Sequence, residues 1–118
     1  MVSDNLRFVI TYGGPAVEAL ADPTRRAIFE LLGLGPRSMV DIASEVPVSR
    51  PAVSQHLKVL KEARLVSARS AGTRRIYTLD PRGVEAARDY FDHFWITALA
   101  AYARAVEDAV EDTAEEDD

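Results

Sequence analysis

Two helix starts stand eleven residues apart near the middle of this chain. Ser38, with Asp41 three residues on, resembles a capping box with Asp in place of the usual Glu, and it opens a short predicted helix over 39–45. Val40, Ala43 and Val46 are expected to face inward from it. Pro47 and Val48 form the turn, and Ser49 caps a second helix that runs to Ala63 or Arg64. Two short helices joined by a tight turn, the second better endowed with polar residues at its start, form a helix-turn-helix layout.

At 3.6 residues per turn the second helix separates into two halves. Ala52, Val53, His56, Leu57, Val59, Leu60 and Ala63 cluster on one side, while Arg50, Pro51, Ser54, Gln55, Lys58, Lys61 and Glu62 fall on the other. His56 therefore reads as a packed or hydrogen-bonded residue that holds the helix, not as a ligand or base. The polar half carries chemistry suited to a duplex groove. Arg50 can fork onto guanine O6 and N7, Gln55 can pair with adenine N6 and N7, and Ser54 can serve a base edge or a phosphate. The amides at 49–52 sit at the positive end of the helix dipole, where a phosphate is favoured, so Ser49 reads as a backbone contact. Lys58 and Lys61 are placed to reach the sugar-phosphate rails.

Two strand-like runs follow, "LVSARS" and "RRIYTL", separated by Ala71-Gly72-Thr73, with glycine where a hairpin needs positive φ. They make a predicted β-hairpin wing over 65–79, with Arg69 on its first strand and Arg74 and Arg75 just after the turn. An arginine-tipped hairpin beside a polar helix is suited to holding the adjacent minor groove or backbone while the helix enters the major groove.

The flanks are helical as well. Residues 5–12, "NLRFVITY", read as a short arm or strand ending at Gly13-Gly14-Pro15, and residues 15–21 as a short helix. Asp22 and Pro23 cap and open a helix through Leu32, with Ala27, Ile28, Leu31 and Leu32 as its apolar stripe. Asp80 and Pro81 repeat the device and open a long helix over about 82–111. Its apolar residues, among them Phe91, Phe94, Trp95, Leu99 and Tyr102, spread over more surface than one small domain covers, and a second subunit is the natural cover. The expected organisation is an N-terminal arm over 1–14, one domain over 15–112 and an acidic tail over 113–118. The fold class is mainly α with a small β-hairpin.

The 118 residues suffice for one domain with its own core. No run approaches the length of a membrane span and the first residues lack the layout of a signal peptide, so a cytoplasmic location is expected. The absence of cysteine removes disulfides, thiolate metal sites and thiol redox sensing. The net charge of −5 hides an uneven distribution. Residues 22–88 carry twelve Arg/Lys against seven Asp/Glu, a balance of +5, whereas residues 89–118 carry one arginine against ten acids. A basic centre suits a polyanion, and an acidic end would face away from it.

The segments "ALADPTRRAIFELL", "DIASEVPVSRPAVSQHLKVLKEARLV" and "AGTRRIYTLDPRG" together resemble the ArsR/SmtB-type winged-helix transcriptional repressors over roughly residues 15–110. The resemblance implies a homodimer whose terminal helices pair and whose two recognition helices enter successive major grooves of an inverted-repeat operator on double-stranded DNA. By position, the recognition helix is 49–63 and the wing 65–79. The chain departs from the members that sense metals or arsenite through cysteines on the preceding helix, because residues 37–41 are Arg-Ser-Met-Val-Asp. It also departs from members that bind zinc or nickel between the last helices through aspartate and several histidines. Here Asp89 and His93 stand at i, i+4 spacing with Asp92 between them, whereas an ordinary zinc site assembles three or four well-spaced ligands. No metal and no cofactor is therefore expected, and any small-molecule effector is unspecified.

The leading expectation is a dimeric repressor. A winged-helix protein-interaction module and a His/carboxylate metal-responsive repressor are the alternatives. An enzyme is not expected, because no nucleophile-base pair, glycine-rich phosphate loop or paired-carboxylate arrangement is present.

Overall fold

The computed structural model describes residue 7 and residues 9–116. Val9–Gly13 forms a π-helical turn, followed by α1 (Gly14–Ala19), α2 (Pro23–Gly33), β1 (Arg37–Ser38), α3 (Met39–Glu45), α4 (Arg50–Glu62), β2 (Val66–Ala71), β3 (Arg74–Leu79) and α5 (Pro81–Glu116). The strands form one antiparallel sheet in the order β1-β3-β2. No described helix is long and apolar enough to cross a membrane.

The starts of α2, α3 and α4 are each built by a capping side chain. Asp22 accepts the Thr24 and Arg25 amides at 2.9 Å, Ser38 accepts the Asp41 amide at 3.2 Å, and Ser49 accepts the Ala52 amide at 3.3 Å. These bonds occupy amides that lack a partner inside the helix. The core then forms where the apolar stripes meet: Ile28 and Leu32 of α2, Ile42 of α3, Val53, Leu57 and Leu60 of α4, and Leu65, Val66 and Tyr77 of the wing. Burying Val53, Leu57 and Leu60 is worth about 1.5–3 kcal/mol per side chain, and it fixes which half of α4 is left outside.

The end of α4 is locked to the beginning of α5. The Leu65 amide donates to the Leu60 carbonyl and the Arg64 amide to the Lys61 carbonyl, both at 3.0 Å. Arg64, at φ 61°, occupies the left-handed position that this helix ending usually gives to glycine. Leu65 and Leu60 are both fully buried, the apolar contact that accompanies such an ending. Directly against it sits Gly83, where a Cβ would meet the Arg64 carbonyl oxygen well inside van der Waals contact. The Asp80 amide donates to the Leu65 carbonyl at 2.9 Å, and the Asp80 carboxylate takes the Arg82 amide at 3.0 Å and Arg82 Nη2 at 2.9 Å. These Arg82 hydrogen bonds hold the buried Asp80 carboxyl below the usual carboxylate range, against the opposing effect of burial.

Several expectations are corrected. Residues 9–12 are helical and not a strand, because the π turn packs on α5, where Gly13 leaves no room for a side chain beside the Ala86 carbonyl and Tyr90 Cβ. The rest of the expected 1–14 arm, residues 1–6 and 8, lies outside the described residues. Helix α1 starts at Gly14 and stops at Ala19. In α2, Ala27 is exposed and Phe29 packs against the core. In α3, Val40 is 58% exposed and Ile42 is fully buried, because the helix turns its Ile42 side to α4; Ala43 and Val46 pack partly, as expected. Ala71 belongs to β2 and pairs with Arg74, which leaves a two-residue Gly72-Thr73 loop with Gly72 at φ 64°. The last helix continues through Glu116, so residues 113–116 of the expected tail are helical; 117 and 118 lie outside the described residues.

Two measurements check this account of the α4–α5 junction. Gly83→Ala is expected to lower unfolding free energy in urea by on the order of 3 kcal/mol. Gly14→Ala, with open space around its Cβ, is expected to change it by no more than about 1 kcal/mol. Equal effects would contradict the close approach. Asp80 is held ionised, so its contribution is complete near neutrality and is lost as pH falls through the carboxylate range, below about 4. Asp80→Asn, which keeps a capping oxygen, is expected to be less stable than the parent at pH 7 and to lose less on acidification from pH 5 to 3. An unchanged acid slope in thermal melts would contradict the linkage.

Candidate nucleic-acid interface

The outer half of α4 is free of the core along its full length. Arg50, Pro51, Ser54, Gln55, Lys58, Lys61 and Glu62 are all exposed, whereas Val53, Leu57, Leu60 and Ala63 are buried and Ala52, His56 and Val59 are half-buried. The division follows directly from α4 lying on α2, α3 and β2 with its apolar stripe inward.

The first turn of α4 offers fewer amides than its sequence suggests. Pro51 has none, the Ala52 amide is taken by the Ser49 hydroxyl oxygen, and the Val53 amide by the Ser49 carbonyl at 3.0 Å. The amides of Ser49 and Arg50 are left at the positive end of the dipole. The Ser49 hydroxyl accepts the cap bond with its oxygen and keeps its proton to donate.

The wing supplies the second wall. Ser54, Leu57, Lys58 and Lys61 of α4 line a shallow groove together with Arg75 and Tyr77 of β3. The Arg75 guanidinium lies 5.9 Å from the centroid of the buried Tyr77 ring, which holds it over the groove by cation–π attraction. The strand register separates the three wing arginines. Ser70 pairs with Arg75 and Ala68 with Tyr77, so Arg75 shares the face turned to α4. Arg69 pairs with Ile76 and Ala71 with Arg74, which sets Arg69 and Arg74 on the opposite face. All three are exposed. Thus Ser54, Lys58, Lys61 and Arg75 come together in one groove, Arg50 and Gln55 continue the same helix surface toward its start, and Arg69 and Arg74 flank the hairpin on its other side.

Among the described residues, none of Arg50, Lys58, Lys61, Arg69, Arg74 and Arg75 is held in an ion pair; the pairs formed are Arg25–Asp22, Arg37–Glu45 and Arg82–Asp80. The groove-side cations are therefore uncompensated among the described residues, which is the electrostatic condition for displacing counterions from a phosphate backbone. His56 lies on the inner side, its Nδ1 buried without a hydrogen-bond partner. Sequence reasoning missed Tyr77 as the support for Arg75, although the alternation in "RRIYTL" placed the two on one face. It also missed β1, whose pairing of Arg37 with Tyr77 and Ser38 with Ile76 covers the other edge of β3.

On α5, Phe91, Phe94, Trp95, Leu99 and Tyr102 are between 46% and 69% exposed. Phe94 and Trp95 thus lie on the outer surface and do not line a pocket against the core, and the Tyr90 ring meets Phe91 edge-on at 5.7 Å. Asp89 and His93 are half-buried and Asp92 is exposed. Among the described residues no group of three or more His, Asp or Glu side chains is gathered as a metal site.

Comparison with known proteins agrees with this arrangement. A family model described as a helix-turn-helix domain matches residues 20–68. The chain is 56% identical over 105 residues to the HTH-type transcriptional regulator Rv2034 of Mycobacterium tuberculosis, covering 87% of this chain and 98% of that protein. It is 34% identical over 104 residues to the HTH-type transcriptional repressor SmtB of the same species, covering 88% of this chain and 70% of the relative. A solution structure of a homodimeric winged helix-turn-helix DNA-binding domain from Mycobacterium bovis, a possible ArsR-family regulator, superposes with a TM-score of 0.59 at 28% identity, covering 88% of this chain and 91% of that one. The chain belongs to the ArsR/SmtB family of winged helix-turn-helix transcriptional regulators.

Proposed function

We propose that this regulator is a cytoplasmic homodimeric repressor that reads an inverted-repeat operator with α4 and holds the flanking backbone with the wing. The observation that carries the reading is the groove between α4 and β3, where Lys58, Lys61 and Arg75 converge beside the exposed Ser54 with no carboxylate partner among the described residues. In this reading Arg50, Ser54 and Gln55 contact base edges in the major groove, and Ser49, Lys58 and Lys61 contact phosphates. Arg75 faces the same groove, while Arg69 and Arg74 reach the next stretch of backbone from the other face of the hairpin. Dimerisation through Phe91, Phe94, Trp95, Leu99 and Tyr102 covers apolar surface that a single chain leaves open. It is supported by the homodimeric state of the Mycobacterium bovis domain. Repression would follow from occupying a promoter, with no cysteine metal sensor involved.

The test is a salt titration of operator binding by the parent and by single alanine variants. Arg50→Ala and Gln55→Ala are expected to cost about 1–3 kcal/mol of discrimination at particular base positions. Arg74→Ala and Arg75→Ala are expected to weaken binding to every sequence about equally and to flatten the salt dependence by about one unit of slope each. Full sequence preference in both α4 variants would show that α4 does not read the bases. A wing effect confined to one base position would contradict the backbone role.

A further inference from the structure

Arg64 carries a strain that the fold itself does not require. The left-handed position that ends α4 is one glycine fills freely, and a side chain is held there against its preference. A disfavoured backbone conformation that persists directs attention to what its side chain does. The Arg64 guanidinium lies over the Tyr12 ring, 4.8 Å from the centroid, a contact made through its charge that leaves its N–H donors available. Among the described residues Arg64 is in no ion pair, and its guanidinium donates no hydrogen bond.

These donors belong to a cavity of about 310 Å³ at the junction of α4, β2 and α5. Its bases are Lys61, Arg64 and Arg82, its acids Glu62 and Asp80, and Ser67 adds a hydroxyl from β2. Three bases thus face two acids, and one acid is already engaged. Asp80 is held by Arg82 Nε at 3.2 Å and Nη2 at 2.9 Å. Those hydrogen bonds, with a smaller contribution from the Arg64 charge, keep its carboxyl below the usual range against the effect of burial. Glu62 is exposed and in no ion pair among the described residues. Lys61, Arg64 and Arg82 Nη1 remain to donate. The backbone around the cavity is closed to cations. The carbonyls of Val59, Leu60 and Lys61 accept the amides of Ala63, Leu65 and Arg64, and the Leu65 carbonyl accepts the Asp80 amide.

Two guanidinium groups, an ammonium and a hydroxyl are the donor set that suits the three terminal oxygens of a phosphate group. The volume is at the small end for a ligand site, with room beyond the phosphate for a body of a few carbons. Val66 is the one apolar side chain in the wall, so that body is polar. We propose that Lys61, Arg64, Ser67 and Arg82 bind the phosphate of a small phosphomonoester at the α4–α5 junction. Lys61 also lines the groove between α4 and β3. Its single ammonium serves one of the two places at a time, so an occupied cavity withdraws a cation from the groove. The consequence, which rests on the DNA reading proposed above, is that the phosphomonoester weakens operator binding.

The test is calorimetric titration of the full chain with glycerol 3-phosphate, and with glycerol as the uncharged control, at fixed ionic strength. Saturable binding of the ester and none of glycerol are expected. Arg64→Gly removes the guanidinium and suits the left-handed backbone, and it is expected to weaken ester binding by about tenfold or more. Ser67→Ala is expected to weaken it by about fivefold. Arg26→Ala, an exposed base on α2 outside the cavity, is expected to leave it unchanged. No saturable binding by the parent, or an equal loss in Arg26→Ala and Arg64→Gly, would overturn the site. In operator titrations with sodium chloride matching the ionic strength, saturating ester is expected to lower the parent's affinity by about tenfold and to leave that of Arg64→Gly unchanged. A tenfold loss of operator affinity in Arg64→Gly without ester would assign the cavity to a phosphate of the duplex and overturn the proposal. Ester binding as expected in a parent that binds no operator would overturn the DNA reading and leave the site standing.

Discussion

The close approach of Gly83 to the Arg64 carbonyl fixes how α4 is oriented relative to the long helix α5. Helix α4 ends in a left-handed residue, the chain runs out through the wing, and it returns at Asp80 to donate to the Leu65 carbonyl 2.9 Å away. With no side chain at 83, α5 begins in backbone contact with the end of α4, and the Asp80–Arg82 bonds hold that first turn in place. A side chain at 83 would push the two helices apart. In the proposed dimer, where α5 joins two subunits, that displacement would change the angle at which each α4 meets a duplex. Arg64 is the cost of this arrangement: a β-carbon in the left-handed region is disfavoured by roughly 1–2 kcal/mol. Its guanidinium, 4.8 Å from the centroid of the Tyr12 ring, recovers part of that by bracing the π turn.

From this junction the binding surface follows without further machinery. Burial of Val53, Leu57 and Leu60 leaves the polar half of α4 outside, and the alternation of β3 sends Tyr77 into the core and Arg75 over the groove. Among the described residues Arg50, Lys58, Lys61, Arg69, Arg74 and Arg75 are in no ion pair, whereas Arg25, Arg37 and Arg82, near the helix ends, are paired. The separation of roles is visible within single segments: Arg64 braces the fold, and Lys61, three residues earlier, lines the groove.

Much of this was legible in the sequence because it is local. The caps at Asp22, Ser38 and Ser49 lie within three residues of the amides they take, and the inner and outer halves of α4 follow from helical period alone. What the sequence hid was set by partners distant along the chain. Strand β1 is two residues long and exists because Ser38 and Arg37 meet Ile76 and Tyr77. In α3, Ile42 and not Val40 faces the core, and a helix of two turns contains too few residues for the sequence to fix that apolar phase. The π turn at Val9–Gly13 reads as strand-like by alternation, and only its packing on α5 makes it helical. At the site, every proposed contact residue could be placed on its helix or strand. The division of the wing arginines between two faces needs the register of β2 with β3, which the length of the turn decides: a three-residue turn over 71–73 would pair Arg69 with Arg75, whereas the two-residue turn pairs Arg69 with Ile76.

In the proposed dimer two copies of α4, fixed by paired α5 helices, read a two-fold symmetric site. Hydroxyl-radical footprinting on fragments that the chain selects from its own genomic DNA tests it most directly. Two protected segments of related, inverted sequence are expected, with centres about 10 base pairs, one turn of duplex, or a multiple of that spacing apart. A single protected segment without inverted symmetry, at saturating protein, would contradict it.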